Sequence, residues 1–258
     1  MRAFEALSLP NGSVIPNRIA KAAMEENLAD LTQGPSAELL CLYQAWAEGG
    51  TGLLLTGNVM VDRRAMTGPG GVVLEDERQL DKFHEWARIG RSHGAQIWMQ
   101  LNHPGRQMQA NLGQQTVAPS AVALQLGGLS KMFPVPKALN EAEIAALIER
   151  FARSAQLAEQ AGFNGVQIHA AHGYLINELA VDMVELSGGS YEAPAMQGDS
   201  RDGRTLAREA YFLEFAGEIA AVAKMPIMVT GGIRRLPVVE QVLASGVAMA
   251  GIGTALAI

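Results

Sequence analysis

The 258-residue chain has one cysteine, Cys41, so it cannot form an intrachain disulfide or a zinc or iron–sulfur site built on several of its own thiolates. It has no long run of Lys or Arg. A formal charge of −6 makes nucleic acid and anionic membrane surfaces poor partners. The opening, MRAFEALSLPNGSVIPNRIA, lacks the basic start and apolar stretch of a secretory signal, and no apolar run approaches the ~18 residues of a membrane span. Charged residues are sparse at 18% against 48% hydrophobic, which argues against a disordered or fibrous chain. What these absences leave is an acidic α/β domain, expected in the reducing cytoplasm with no nucleic-acid or membrane partner.

Short apolar runs alternate with longer amphipathic ones, the pattern of repeated βα units around a parallel sheet, and the length is that of one TIM barrel. Candidate strands are 18–24, 52–56, 96–101, 165–169, 182–186, 226–230 and 248–251. Their near-continuous apolar character suits parallel strands buried on both faces. Asn140 and Glu143, at capping-box spacing, open a helix in which Ile144, Leu147, Ile148, Phe151, Ala155 and Ala158 recur at helical spacing, with Gly162 placed to end it. Further helices are expected over 206–224 and from Pro237 through Ser245. Residues 103–139, rich in Gly, Pro, Gln and Ser, form one long excursion after the third strand, of a kind that is usually functional or disordered. The strands number seven, not eight. Almost nothing separates the loop after His169 from the run at 182–186, although parallel neighbours need a crossover of about a dozen residues or more.

Four segments fall at C-terminal ends of strands, where TIM barrels place their active sites. In His169-Ala-Ala-His172-Gly-Tyr174, two imidazoles can donate to one oxygen and a nearby phenol can supply a proton. A pair of satisfied loop histidines explains the same residues equally well, and a metal pair is the weaker reading because no third ligand is well placed. Gln100, at the end of the third strand, offers a donor and an acceptor to the edge of an imide-like heterocycle, or is simply a polar rim residue. Gly231-Gly232 and Gly251-Ile-Gly253-Thr254 are paired glycine turns after the last two strands, where backbone N–H groups can close on a phosphate. Asn17-Arg18-Ile19 leading to Lys21-Ala-Ala-Met24-Glu25-Glu26 is, from its chemistry alone, a first strand ending in acids.

Taken together, "NRI", "MQLNHPGRQ", "APSAV", "HAAHGYLIN", "VELSGGSYE", "TGGI" and "GIG" occur in an order that resembles the Old Yellow Enzyme family, the NADH:flavin oxidoreductases, from Asn17 to about Thr254. The resemblance implies a single flavin-binding TIM-barrel domain over 1–258. It also implies an ene-reductase that uses FMN, and NADH or NADPH as reductant, to reduce electron-poor alkenes in a ping-pong cycle, in a homo-oligomer by family habit. It implies that His169 and His172 hold the oxygen of an activated alkene and that Tyr174 gives the proton. Gln100 would meet the pyrimidine side of the flavin, Ala23, Met24 and Asn58 would line the isoalloxazine, and Gly231, Gly232, Gly253 and Thr254 would surround the phosphate.

Departures from the family pattern carry expectations of their own. Glu25 replaces a Thr or Cys that tunes the flavin, so an ionised carboxylate there should lower the flavin potential. Gly57-Asn58 replaces an acidic–small pair, and Thr254 replaces an arginine that contacts phosphate. Between Glu178 and Leu179 the family's fifth strand is absent, together with its basic residue, so at least one βα unit of ~30 residues is missing. Either the working protein carries a segment that this sequence lacks, or the segment was deleted and flavin binding is weak. The competing functions are a flavin-free remnant acting as a binding or structural module, and a phosphate-binding lyase or isomerase barrel, which lacks a suitable Schiff-base lysine.

Overall fold

A computed structural model of the chain describes residues 1–172, 174–175, 183–186, 213–223 and 225–253. Seven parallel strands make the path of one curled eight-stranded sheet: β1 (Ile19–Lys21), β2 (Leu53–Met60), β3 (Gln96–Asn102), β4 (Gly165–Ile168), β5 (Val184–Leu186), β6 (Ile227–Thr230) and β7 (Met249–Ile252); the two-residue strand Val72–Val73 pairs with the end of β2 off this path. Helices α1 (Ala37–Glu48), α2 (Leu80–Gly90), α3 (Glu141–Gln160), α4 (Leu213–Val222) and α5 (Leu236–Ala244) lie between them along the chain. Apart from β4 and β5, each strand pairs with its neighbours in sequence, and β7 returns to pair with β1. The spatial order is therefore β5-β6-β7-β1-β2-β3-β4, a barrel with one seam. Among the described residues no backbone ladder joins β4 to β5. That seam falls where the sequence lacks a crossover; the junction of Glu178 and Leu179 itself lies outside the described residues.

Local chemistry accounts for the helices. Ser36 caps α1 by accepting from Leu39 N at 3.1 Å. Asn140 and Glu143 form the full reciprocal capping box expected for α3, and Gly162 follows its end with φ +90°. The helix expected over 206–224 is seen as Leu213–Val222, with 206–212 and 224 outside the described residues. Strand β2 runs past residue 56 to Met60 because a register shift between Leu55 and Asn58 lets pairing with β3 resume. The excursion over 103–139 is built of 3₁₀ turns and a short parallel pair, Val117–Ala118 with Lys137–Ala138. No helix among the described residues is long and apolar enough to cross a membrane.

Two-residue alternation divides the sheet into an outer and an inner face. The outer face of β2, β3 and β4 packs on α1, α2 and α3 through Tyr43, Trp46, Phe83, Trp86, Phe151 and Leu157, with edge-on aromatic contacts at Tyr43–Trp86 and Trp86–Phe163. Helix α5 covers β6 and β7 with Val238, Val239, Val242 and Leu243. Inside, Ala20, Leu53, Leu55, Trp98, Met228 and Met249 fill the lower barrel, and Leu7, Leu9 and Ile15 of an N-terminal ribbon join the same cluster. Two inward glycines make room for this filling. A Cβ at Gly165 would lie 3.0 Å from the Trp98 ring, and one at Gly251 would lie 2.1 Å from Thr230 Oγ1.

Candidate active site

Toward the C-terminal ends of the strands the inner face changes from apolar to polar. The same alternation that puts Trp98, Met183, Met228 and Met249 inside carries Gln100 (β3), Gln167 (β4), Glu185 (β5) and Thr230 (β6) onto the next tier. Gln100 Nε2 donates to Gln167 Oε1 at 2.6 Å, Gln167 Nε2 donates to Glu185 Oε2, and Thr230 Oγ1 donates to Glu185 Oε1. This chain of side chains crosses the seam. Burial pushes the Glu185 carboxyl up, opposed by the hydrogen bonds from Thr230 and Gln167 and by the Lys21 charge. Above the tier, Asn102 is fully buried with neither its Oδ1 nor its Nδ2 partnered. A buried amide of this kind is costly unless something completes it.

At the end of β4 stand His169, His172 and Tyr174. Their rings make edge-on contacts, with His169 5.0 Å from His172 and 4.7 Å from Tyr174 between centroids; His172 and Tyr174 are 6.5 Å apart. His169 is buried, and burial followed by the neighbouring His172 lowers its pKa to about 3, so the ring is neutral. Its Nδ1 accepts from Ala171 N at 3.4 Å, which leaves the ring proton on Nε2. That Nε2 lies 3.3 Å from His172 Nδ1. With its proton on Nε2, His169 donates to His172 Nδ1, so the two rings are coupled by a hydrogen bond at the end of β4. His172 adopts a left-handed φ of +58°, and Gln107 Nε2 donates to its carbonyl, tying this turn to the long excursion.

The loop after β1 is held down from beneath. Lys21, fully buried, donates to Glu26 Oε1 at 2.9 Å, to Tyr43 OH at 3.1 Å and to Leu55 O at 2.7 Å, and lies over the Tyr43 and Trp46 rings. Tyr43 OH also donates to Glu26, at 2.6 Å. Burial is the main cause that lowers the Lys21 pKa, with Glu26 opposing it. Gly57 is required here, because a Cβ would meet Glu26 Oε2 at 2.1 Å and Met24 O at 2.2 Å. Glu25 accepts from Thr67 Oγ1 and from Asn58, and burial raises its pKa.

Of the residues singled out in the sequence, Asn58 stands directly opposite Gln100 in the β2–β3 register, and Met24 lies against Gly253, 3.8 Å from the position of a Cβ there. Ala23 packs at the margin of the inner cluster. Gly231 and Gly232, at φ +139° and +66°, form the turn after β6, next to the turn after β7 that contains Gly253. Thr254 lies outside the described residues. Gly251 serves packing against Thr230 and Met228. Sequence reasoning missed Gln167, Glu185 and Asn102; their signal was a polar residue at an inward position of an otherwise apolar strand. It also missed the Lys21–Glu26–Tyr43 cluster, whose members are split between two elements.

The pattern of the NADH:flavin oxidoreductase / NADH oxidase family matches residues 3–191. The NADH-dependent flavin oxidoreductase iliE of Hypocrea jecorina (strain QM6a) is 30% identical, covering 93% of this chain and 82% of that protein. Its alignment spans 330 positions, whereas 93% of this 258-residue chain is about 240 residues, so about 90 positions fall opposite gaps in this chain. Among solved structures, a 2-naphthoyl-CoA reductase superposes with a TM-score of 0.84 at 17% identity, over 97% of this chain and 50% of that one. The old yellow enzyme homologue from Zymomonas mobilis superposes with a TM-score of 0.77 at 22% identity, over 98% and 88%.

Proposed function

The chain belongs to the NADH:flavin oxidoreductase / NADH oxidase family, the Old Yellow Enzyme family of the sequence resemblance, and on that premise we propose that it reduces the C=C bond of electron-poor alkenes. Oxidoreduction with FMN and NADH or NADPH is the chemistry of this family. The alkene and the residue roles are our reading. The observation that carries it is the His169–His172–Tyr174 cluster at the mouth of the barrel, on the strand next to Gln100.

The residues present fit a flavin. Gln100 Oε1 accepts nothing among the described residues, Asn102 is an unpartnered buried amide, and Gly231 and Gly232 make a positive-φ turn at the end of β6. In this reading Gln100 meets the pyrimidine side, Ala23, Met24 and Asn58 line the ring system, and Gly231, Gly232, Gly253 and Thr254 hold the phosphate. When bound, FMN supplies the hydride chemistry, drawing on NADH or NADPH. In this reading His169 and His172 hold the carbonyl or nitro oxygen of the alkene, and Tyr174 delivers a proton to the α carbon.

The test is an anaerobic reaction of the FMN-loaded chain with NADH and 2-cyclohexenone. Formation of the saturated ketone is expected, with Tyr174→Phe slowing it by roughly 10²–10⁴-fold. If unsaturated ketones, aldehydes and nitroalkenes are all returned unreduced while the same protein consumes NADH in a separate reaction in air, the alkene reading fails and an oxidase remains. The open seam and the unmatched positions favour a second reading, a flavin-free remnant. A folded protein that leaves FMN fluorescence unquenched would establish it.

A further inference from the structure

We infer that Glu185 is a positioning residue which, acting through Gln167, sets the amide of Gln100 so that its carbonyl oxygen faces the bound flavin and selects an imide N–H. The inference rests on the proposed flavin site. It follows from the direction of three hydrogen bonds. A carboxylate only accepts, so the end of Gln167 facing Glu185 must be the NH₂ group, as observed. Gln167 then turns Oε1 to Gln100, and Gln100 must answer with Nε2, at 2.6 Å. Its Oε1 is left as the open acceptor among the described residues. An amide by itself has no such preference, because a half-turn exchanges its donor and acceptor. The asymmetry originates at Glu185, the only ionisable member of the chain.

Burial raises the pKa of Glu185, yet the ordering survives protonation. The proton can sit on Oε1 and be donated to the Thr230 hydroxyl, while Oε2 continues to accept from Gln167. The anchor also lies across the seam, so the contact that brings the two edge strands together is the one that orients the ligand-facing amide.

The experiment titrates FMN and 3-methyl-FMN, in which the imide N–H is blocked, into the wild type and into Glu185→Gln, Gln167→Met and the double variant Gln167→Glu/Glu185→Gln. Binding is read by fluorescence quenching and folding by circular dichroism. The wild type should prefer FMN by roughly tenfold, the worth of one denied hydrogen bond at a buried acceptor. Glu185→Gln, whose amide can donate as well as accept, should drop that ratio toward one and weaken FMN binding roughly tenfold. The double variant places a pure acceptor beside Gln100 and should restore the ratio, a rescue that a packing role would not give. If Glu185→Gln does not fold, Gln167→Met decides, because it cuts the link while leaving Glu185 in place. A wild-type preference that persists in the folded single variants overturns the inference alone, as does a double variant that binds without discrimination. A wild-type chain that binds no FMN overturns the proposed function and this inference with it.

Discussion

The wall formed by β1, β2 and β3 and the seam between β4 and β5 are closed by different means. Along the wall the backbone ladder runs from Leu53 opposite Gln96 to Met60 opposite Asn102, broken at the register shift between Leu55 and Asn58, where Thr56 Oγ1 accepts from Gln100 N. Side chains there are released for packing, and the wall encloses a charged lysine under two aromatic rings. At the seam the described residues share no ladder and meet through the Gln167–Glu185 bond. The comparison teaches that where the backbone does not close a barrel, a few side chains carry both closure and the orientation of the site.

The comparison predicts unequal costs. Lys21→Met keeps the volume but leaves Glu26 and the Leu55 carbonyl without their cation, and should cost about 3–5 kcal/mol in urea denaturation. A loss below about 1 kcal/mol would show that the wall does not depend on its enclosed ion pair. Gly57→Ala drives a methyl into Met24 O and Glu26, and should cost about 1–3 kcal/mol while weakening FMN binding, since it displaces the loop after β1. Unchanged FMN affinity would separate that loop from the site.

Acid should act on the two regions with opposite sign. His103, at the end of the wall, has its pKa lowered by burial to about 4. Above pH ~6.5 it is neutral whether folded or unfolded; below that the unfolded chain takes up a proton that the folded chain refuses until about pH 4. Stability is therefore lost across that window, by up to ~1.4 kcal/mol per pH unit, and His103→Gln should flatten the slope by about one proton. At the seam, the folded Glu185 takes its proton before the unfolded chain does, so its contribution rises as pH falls through its folded pKa, and Glu185→Gln should remove that gain. Urea titrations from pH 7 to 4 measure both, and slopes of the same sign would break the contrast. The smallest effect is Thr230→Val, which removes one donor to Glu185 and should cost about 1 kcal/mol with little change in FMN preference. A collapse of that preference would mean that Thr230 shares in orienting the site.

Much of the fold was legible because its signals are local. The apolar runs marked all seven strands, the Asn140–Glu143 pair marked the start of α3, and the short interval before residue 182 marked the seam. The motif at His169, His172 and Tyr174 lies within six residues of chain, so its three side chains had to be neighbours. Helices α1 and α2 were passed over although Ser36 caps α1, because α1 is apolar on most sides and α2 lacks a capping side chain.

The sequence by itself determined the family, the parallel βα order and the place where the sheet stays open, since strand period, caps and motifs need only nearby residues. The tertiary structure alone decided that Gln100, Gln167, Glu185 and Thr230, borne on four different strands, form one directed chain, and that Lys21 is enclosed with Glu26 and Tyr43. Those contacts depend on the register between strands and on which face each residue presents, and a one-residue slip would turn every one of them away from its partner.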